Sequence, residues 1–497
     1  MRIPHGRRAN EGARPAWRRR WSWLRMPAFR RQHHKESATV PSDAHATERR
    51  ITELYTNAVA QLVSDEAPVR FGGLYALERL AQDSPAHRQI IVNVICGYLR
   101  RPFSPTAPAG KPEPEVAKGQ KEPAAEDEAR PDGIGRTWQQ ERQVRLTAQR
   151  ILAEHLRDDR TKDPQSTDTP SSRFWNNIRL DLTGATLIDF NLVNGVVADA
   201  NFHGATFSGD AWFGEVAFGG AAQFSGATFT GDASFGGAAF SGAARFGGAA
   251  FSAAAQFSGA AFSAAASFGG ATFSGDALFG RAVFRGAANF PETAFRGDAL
   301  FGEAAFSRGA GFRRAAFGGV AGFHKVAFGG DAGFRKAAFR GDAWFDAAAF
   351  GGDAWFDKAA IGGDAGFGEA AFGGVAGFGG ATFSGDAWFG GATFSGDAWF
   401  GWAAFSGHAW FGEAAFRGDA GFDMAAFRGD AWFDAAAFSG HAWFGEAAFL
   451  GDADALHFEN ARILSPGASH AWPTGWRLAD ADGGGHTVVR ASDDADP

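Results

Sequence analysis

Four kinds of residue in this chain have types and spacings that could do chemistry. The lone cysteine, Cys96, would be a nucleophile only as a thiolate in an accessible, electropositive setting. It lies instead in the apolar run Ile90, Ile91, Val94, Ile95 and Leu99 and reads as core packing. Asp331, Asp342, Asp353, Asp364, Asp386, Asp397, Asp419 and Asp430 recur at multiples of eleven residues. Repeated Gly/Asp turns hold calcium in some β-helices, but one carboxylate per turn falls short of the roughly six to eight oxygens calcium takes. These carboxylates therefore read as solvated corner residues. His408 and His441 replace Asp in the same series and face opposite ways, so no shared metal is expected. Gly-x-Gly text is too common here to signal a phosphate loop, and no Walker-type loop occurs. The last pattern is aromatic. Trp344, Trp388, Trp410 and Trp432 are separated by multiples of 22 residues, as are Trp355, Trp399 and Trp443. Rows of indole either shield a sheet or mark a contact surface, for a protein partner or for self-association. No catalytic constellation, metal site or cofactor site emerges, and an enzyme is not expected.

What must position these rows is a repeat. The chain has 497 residues with 69 Gly and 51 Phe, but only 3 Tyr and 3 Met. So narrow a bias points to one repeated unit. From Phe207 to Phe449 phenylalanine recurs at alternating steps of six and five; of 45 such positions 44 are Phe and one is Ile361. A helix is excluded, because residues five or six apart cannot share one seam at about 3.6 residues per turn, and Gly recurs throughout. Collagen fails because Gly is not at every third place. A two-residue strand followed by a corner fits. The residue two places before each Phe, usually Ala (Ala205, Ala211, Ala227, Ala387), points inward with it, and the residue between points outward. Gly after the Phe would let the chain turn sharply. The product is a solenoid lined by stacked rings, with sheet edges only at its ends.

The start of the array sharpens this. Leu182, Leu187, Leu192, Val197, Phe202 and Phe207 are five apart. Segments such as Ala185-Thr-Leu187-Ile-Asp and Ala200-Asn-Phe202-His-Gly resemble the pentapeptide-repeat family. The resemblance implies a mainly β chain: a right-handed quadrilateral β-helix over residues 174–457, of about 12 coils, preceded by a small α-helical module. The extra residue on every second face after Phe207, as in Ser208-Gly209-Asp210, predicts a coil of 22 residues with two opposite corners enlarged. The core ladder then includes Leu182, Leu187, Leu192, Phe207, Phe213, Phe218, Phe345, Phe389, Phe400 and Phe449.

Residues 1–35 hold eleven basic residues and one acidic. They read as part of a basic, disordered tail (1–47). Its Trp17, Arg19, Arg20, Trp21 and Trp23 are candidate contacts with an anionic membrane surface, since indole and guanidinium suit the headgroup zone. Helical spacing of apolar residues predicts a helical module over 48–102, with Ser84 capping a helix that begins at Pro85. The text from Arg70 to Ala81 resembles the module ahead of pentapeptide arrays in actinobacterial proteins. Relatives often carry membrane helices before it; none is readable here, nor is a signal peptide, so a cytoplasmic chain is expected, at the inner face of the membrane if the tail binds lipid. Residues 103–136 read as a disordered linker, 137–158 as a helix packing back on the module, and 458–497 as a C-terminal cap and loose tail.

Charge adds direction. Residues 341–450 carry 14 acidic and 3 basic residues, whereas 201–340 carry 8 acidic and 11 basic. The first expectation is a non-enzymatic protein-interaction scaffold of unknown partner. A membrane-peripheral protein anchored by the basic aromatic N-terminus is an alternative. The family resemblance adds a third: a mimic of duplex DNA that binds a type II topoisomerase and protects against quinolones. Direct nucleic-acid binding is not expected.

Overall fold

Two extended residues per side, joined by corners of three and four residues in turn, wind the repeat into a parallel solenoid. The computed structural model describes residues 30–105, 131–158, 173–451, 454–480 and 485–491, with side chains described from residue 45 in the first helix and from 135 in the fourth. The chain divides into two units, residues 1–56 and 57–497. Four helices precede the strands: α1 (Arg30–Leu62), α2 (Ala67–Asp83), α3 (Arg88–Leu99) and α4 (Pro131–Leu156). Thus α1 begins inside the segment read as an unstructured tail to residue 47, and α4 begins inside the segment read as linker to 136. Residues 1–29 of that tail, including Trp17, Arg19, Arg20, Trp21 and Trp23, and residues 106–130 of that linker lie outside the described residues, as does the terminus beyond 491.

The solenoid has four faces, numbered here by the Phe that opens each: face 1 from Phe207, face 2 from Phe213, face 3 from Phe218, face 4 from Phe224. Face 4 stacks fourteen parallel strands, from Arg179–Asp181 to His470–Ala471. That is about 13 coils, or a length of ~60 Å at ~4.8 Å per strand. Faces 1 and 2 are joined near the start by Thr186–Asn191 and Thr206–Trp212, which run unbroken round the corner. The first coil takes 20 residues (Leu187 pairs with Phe207), and the regular coil takes 22 (Phe240 pairs with Phe262).

The corners are of two kinds. After faces 2 and 4 the turn is tight, and the residue with positive φ is the second after the Phe: Glu215 at 57°, Gly226 at 66°, Lys336 at 58°. The glycine directly after the Phe, expected to make the turn, is not the left-handed residue. After faces 1 and 3 the corner is enlarged, and at many of its middle glycines the preceding coil's backbone lies too close for a side chain, although Ala253, Ala264 and Arg308 fill the same place in other coils. A Cβ on Gly242 would lie 2.4 Å from the Gly220 carbonyl, and one on Gly407 would lie 2.5 Å from the Gly385 oxygen.

Inside, each ring stacks on the ring one coil away. Phe213 and Phe235 have centroids 4.8 Å apart and planes within 2°. Across the axis, rings of faces 2 and 4 meet edge to face, as Phe213 and Phe224 do at 5.4 Å and 86°. Both arrangements suit the aromatic quadrupole. Leu182, Leu187, Leu192, Phe207, Phe213, Phe218, Phe345, Phe389 and Phe400 are all buried. Phe449 is only half-buried, because it is the last ring of face 1, stacked on Phe427 alone at 4.9 Å.

A sheet end leaves unpaired backbone groups, and helices supply the missing partners. Gln149 on α4 donates to the Ile188 carbonyl at 2.7 Å and accepts the Ile188 N–H at 2.9 Å. Gln89 on α3 does the same to Arg179, at 2.9 and 2.8 Å. Each amide thus stands in for one residue of an absent strand. The helices pack through Leu74, Leu77, Ile91, Ile95, Ile151 and Leu152, all fully buried. Buried Arg145 ties them together: it pairs with Glu141 at 2.9 Å and donates to the Leu99 and Arg101 carbonyls at 3.0 and 2.6 Å. Ser84 precedes a single 3₁₀ turn, Pro85–His87, and its side chain makes no capping bond; the expected cap is absent because α3 starts only at Arg88. At the far end face 3 is closed by an antiparallel strand, His486–Arg490, which pairs with Arg462–Ile463 and with Trp476–Asp480.

Candidate interaction surface

The four faces differ in what they show to solvent. On faces 1 and 3 the outward residue is small: Ala316, Ala338 and Ala360 on face 1, Ala327, Ala349 and Ala371 on face 3, all exposed. On faces 2 and 4 it varies. Face 2 presents Trp212, Ser234, Gln256, Leu278, Leu300 and Gly322 before Trp344, and face 4 presents residues such as Gln223, Arg245 and Asn289 before Trp355. The sequence pattern placed Trp344, Trp388, Trp410 and Trp432 on one face and Trp355, Trp399 and Trp443 on the opposite one. The structure puts the first four on face 2 and the other three on face 4, all partly exposed.

The indoles are stacked. On face 2 Trp388 and Trp410 lie 5.3 Å apart, Trp410 and Trp432 4.8 Å, and His457 continues the row at 5.5 Å. Trp344 joins from two coils away at 5.9 Å by leaning across Gly366, where a Cβ would lie 2.5 Å from its Cε3 atom. On face 4 Trp399 reaches Trp443 in the same way, at 5.8 Å across Gly421. Glycine at alternate outward positions is therefore what allows the rings to span two coils.

This periodicity decides the family. Residues 196–239, 235–283, 323–371 and 367–415 match the family of pentapeptide repeats in nine copies. The solenoid is a pentapeptide-repeat array. No curated protein and no solved structure matches the chain.

In this pentapeptide-repeat array the corner aspartates are structural acceptors, not merely solvated. Asp342 Oδ1 accepts the Asp364 N–H at 3.0 Å, Asp364 accepts that of Asp386 at 2.9 Å, and Asp386 that of His408 at 2.8 Å. His408 takes over the role, its Nδ1 accepting the Asp430 N–H at 3.1 Å. Each carboxylate satisfies a backbone donor that the enlarged corner leaves free. Among the described residues no group of three His, Cys, Asp or Glu is placed to hold a metal ion. Burial pushes the Cys96 thiol up to about 12, which leaves it protonated and inert at neutral pH. No helix among the described residues is long and apolar enough to cross a membrane.

One residue escaped the sequence pattern. Trp402 is 68% exposed, at a tight corner between faces 4 and 1, and has φ of 62°. Its counterparts in the preceding coils are Gly380 and Lys358. A bulky residue held in the left-handed region is uncommon. Met424 follows one coil on, itself 38% exposed. The signal was present in Phe400-Gly401-Trp402, where an aromatic stands two places after a ladder Phe.

Proposed function

We propose that this chain is a non-enzymatic scaffold whose solenoid captures a protein partner through the tryptophan-bearing faces of its acidic half. The observation that carries this reading is a contrast within one face. The backbone of face 2 is built equally well with Ser234 or Gln256 at the outward position as with Trp388 or Trp410. Filling the solenoid does not require indole there. Partly exposed indole in rows is costly in water and typical of contact sites, and Trp402 with Met424 extends the apolar surface at an adjoining corner. A mimic of duplex DNA would need phosphate-like charge along its length, and residues 201–340 carry 8 acidic against 11 basic residues.

The test is affinity capture with the full chain as bait, beside a variant carrying Trp344→Ala, Trp388→Ala and Trp410→Ala. Loss of a specific captured protein in the variant, with melting temperature kept within a few degrees, supports the reading. Unchanged capture, or loss explained by unfolding, overturns it.

A further inference from the structure

On face 4 the chain shows how its tryptophans receive a cation. Arg335 stands at a tight corner one coil before Trp355. Its guanidinium carbon lies 4.2 Å from the centre of the Trp355 ring, and its Nε donates to Asp357 Oδ2 at 2.9 Å. Three features make this cradle. The outward residue one coil earlier is Gly333, so nothing blocks the ring. The outward residue one coil later is Gly377, across which Trp355 leans; a Cβ there would lie 2.7 Å from Trp355 Cε3. Asp357, two places after the indole, supplies the carboxylate.

Face 2 repeats all three features. Gly322, Trp344 and Gly366 are in register in successive coils, and Asp346 stands two places after Trp344. Trp344 and Asp346 lean together over Gly366, where a Cβ would lie 2.5 Å from Trp344 Cε3 and 2.6 Å from Asp346 Oδ2. Asp346 is held in place because its Oδ1 accepts the Gly368 N–H at 2.9 Å. Trp344 begins its row, stacked on Trp388 on one side only. The difference lies in the cation. The residue that corresponds to Arg335 is His324, and its ring lies back over Gly302, where a Cβ would be 2.6 Å from His324 Cε1. It leans away from Trp344.

We infer that Trp344 and Asp346 form a docking subsite for an arginine side chain carried by an extended segment of the protein partner. This rests on the scaffold reading above and names the chemistry of its partner. Arginine fits better than lysine because a planar guanidinium can lie flat on indole while its N–H edge meets a carboxylate. Charge complementarity agrees: residues 341–450 carry 14 acidic and 3 basic residues, a field that draws a cationic segment in.

The experiment measures fluorescence anisotropy of a labelled eight-residue peptide of alternating Arg and Ser, titrated with the full chain at low salt. A peptide with Lys in place of Arg is the control. The Arg peptide is expected to bind ~10-fold more tightly than the Lys peptide. Trp344→Ala and Asp346→Asn should each weaken it by a similar factor. The deciding variant is His324→Arg, which copies Arg335 and should fill the cradle from within, so binding falls ~10-fold while the fold is kept. Equal affinity for Arg and Lys peptides, or undiminished binding to His324→Arg, overturns the subsite. If the partner found by affinity capture still needs Trp388 and Trp410 but ignores His324→Arg, the scaffold reading stands and this one falls.

Discussion

The inner phenylalanine column and the outer tryptophan rows obey the same coil spacing and yet are built by different rules. Inside, every ladder position from 207 to 449 is a Phe ring except Ile361, and the rings are almost wholly buried, Phe345, Phe389 and Phe400 each at 0% exposure. Outside, indole occurs only in some coils, with Gly366, Gly377 and Gly421 between, and each ring keeps part of its surface in water. A close-packed axis punishes any gap, so the column tolerates almost no variation. The outward position carries no such constraint, because Ser, Gln, Leu, Gly and Trp all occupy it without altering the pairing register. Stacking geometry alone therefore does not separate a structural row from a functional one; burial and interchangeability do.

The largest effect expected from this difference is on the inner column. Phe389 stacks on Phe367 and Phe411 at 4.8 and 4.9 Å and meets Phe378 and Phe400 edge-on at 5.4 Å. Phe389→Ala should destabilise the array by ~3–5 kcal/mol, measured by urea unfolding. Phe449→Ala, at the half-exposed end of face 1, should cost under about 2 kcal/mol, since less area is returned to water. Next comes Ile361, which interrupts face 1 between Phe339 and Phe383 while keeping the strand register with both. Ile361→Phe should restore two stacked contacts and raise stability by ~1 kcal/mol; a loss would show that the coils have closed round the smaller side chain. Of similar size and opposite sign is Asp364→Ala, which leaves the Asp386 N–H without its acceptor and should cost ~1 kcal/mol.

The column was legible in the sequence because one residue type in one register has a single geometric solution. Three other features were not. The sequence marks the glycine after the Phe as the residue that lets the chain turn, yet Glu215, Lys336 and Trp402 show that the left-handed residue of the tight corner is the next one, where glycine is optional and composition carries no mark. The acceptor role of Asp342, Asp364 and Asp386 depends on the neighbouring coil 22 residues away, which no local pattern reveals. The edge-pairing glutamines, Gln89 and Gln149, look like any polar residue on an amphipathic helix until the strand they complete is in view. The start of α1 at Arg30 was missed for a simpler reason: residues 30–47 are polar and lack apolar periodicity. As for the surface, the 22-residue spacing separated the two Trp rows, but the cradle at Trp344 depends on leaning directions that spacing does not encode.

The smallest stability effect is the most informative about the outer row. Trp388→Ser installs the residue that face 2 already carries at Ser234, in a strand with the same inward Ala. Because the backbone accepts serine there, unfolding should shift by under about 1 kcal/mol, mostly from indole area returned to water and two lost stacking contacts. Partner capture should fall by far more than that shift explains, since an anchor in the middle of a contact row contributes little to the free protein and much to the complex. Urea unfolding and capture measured on the same preparation separate the two. A stability loss approaching that of Phe389→Ala, with capture falling only in proportion to unfolding, would make the outer rings a shield for the sheet, a second wall of the same column.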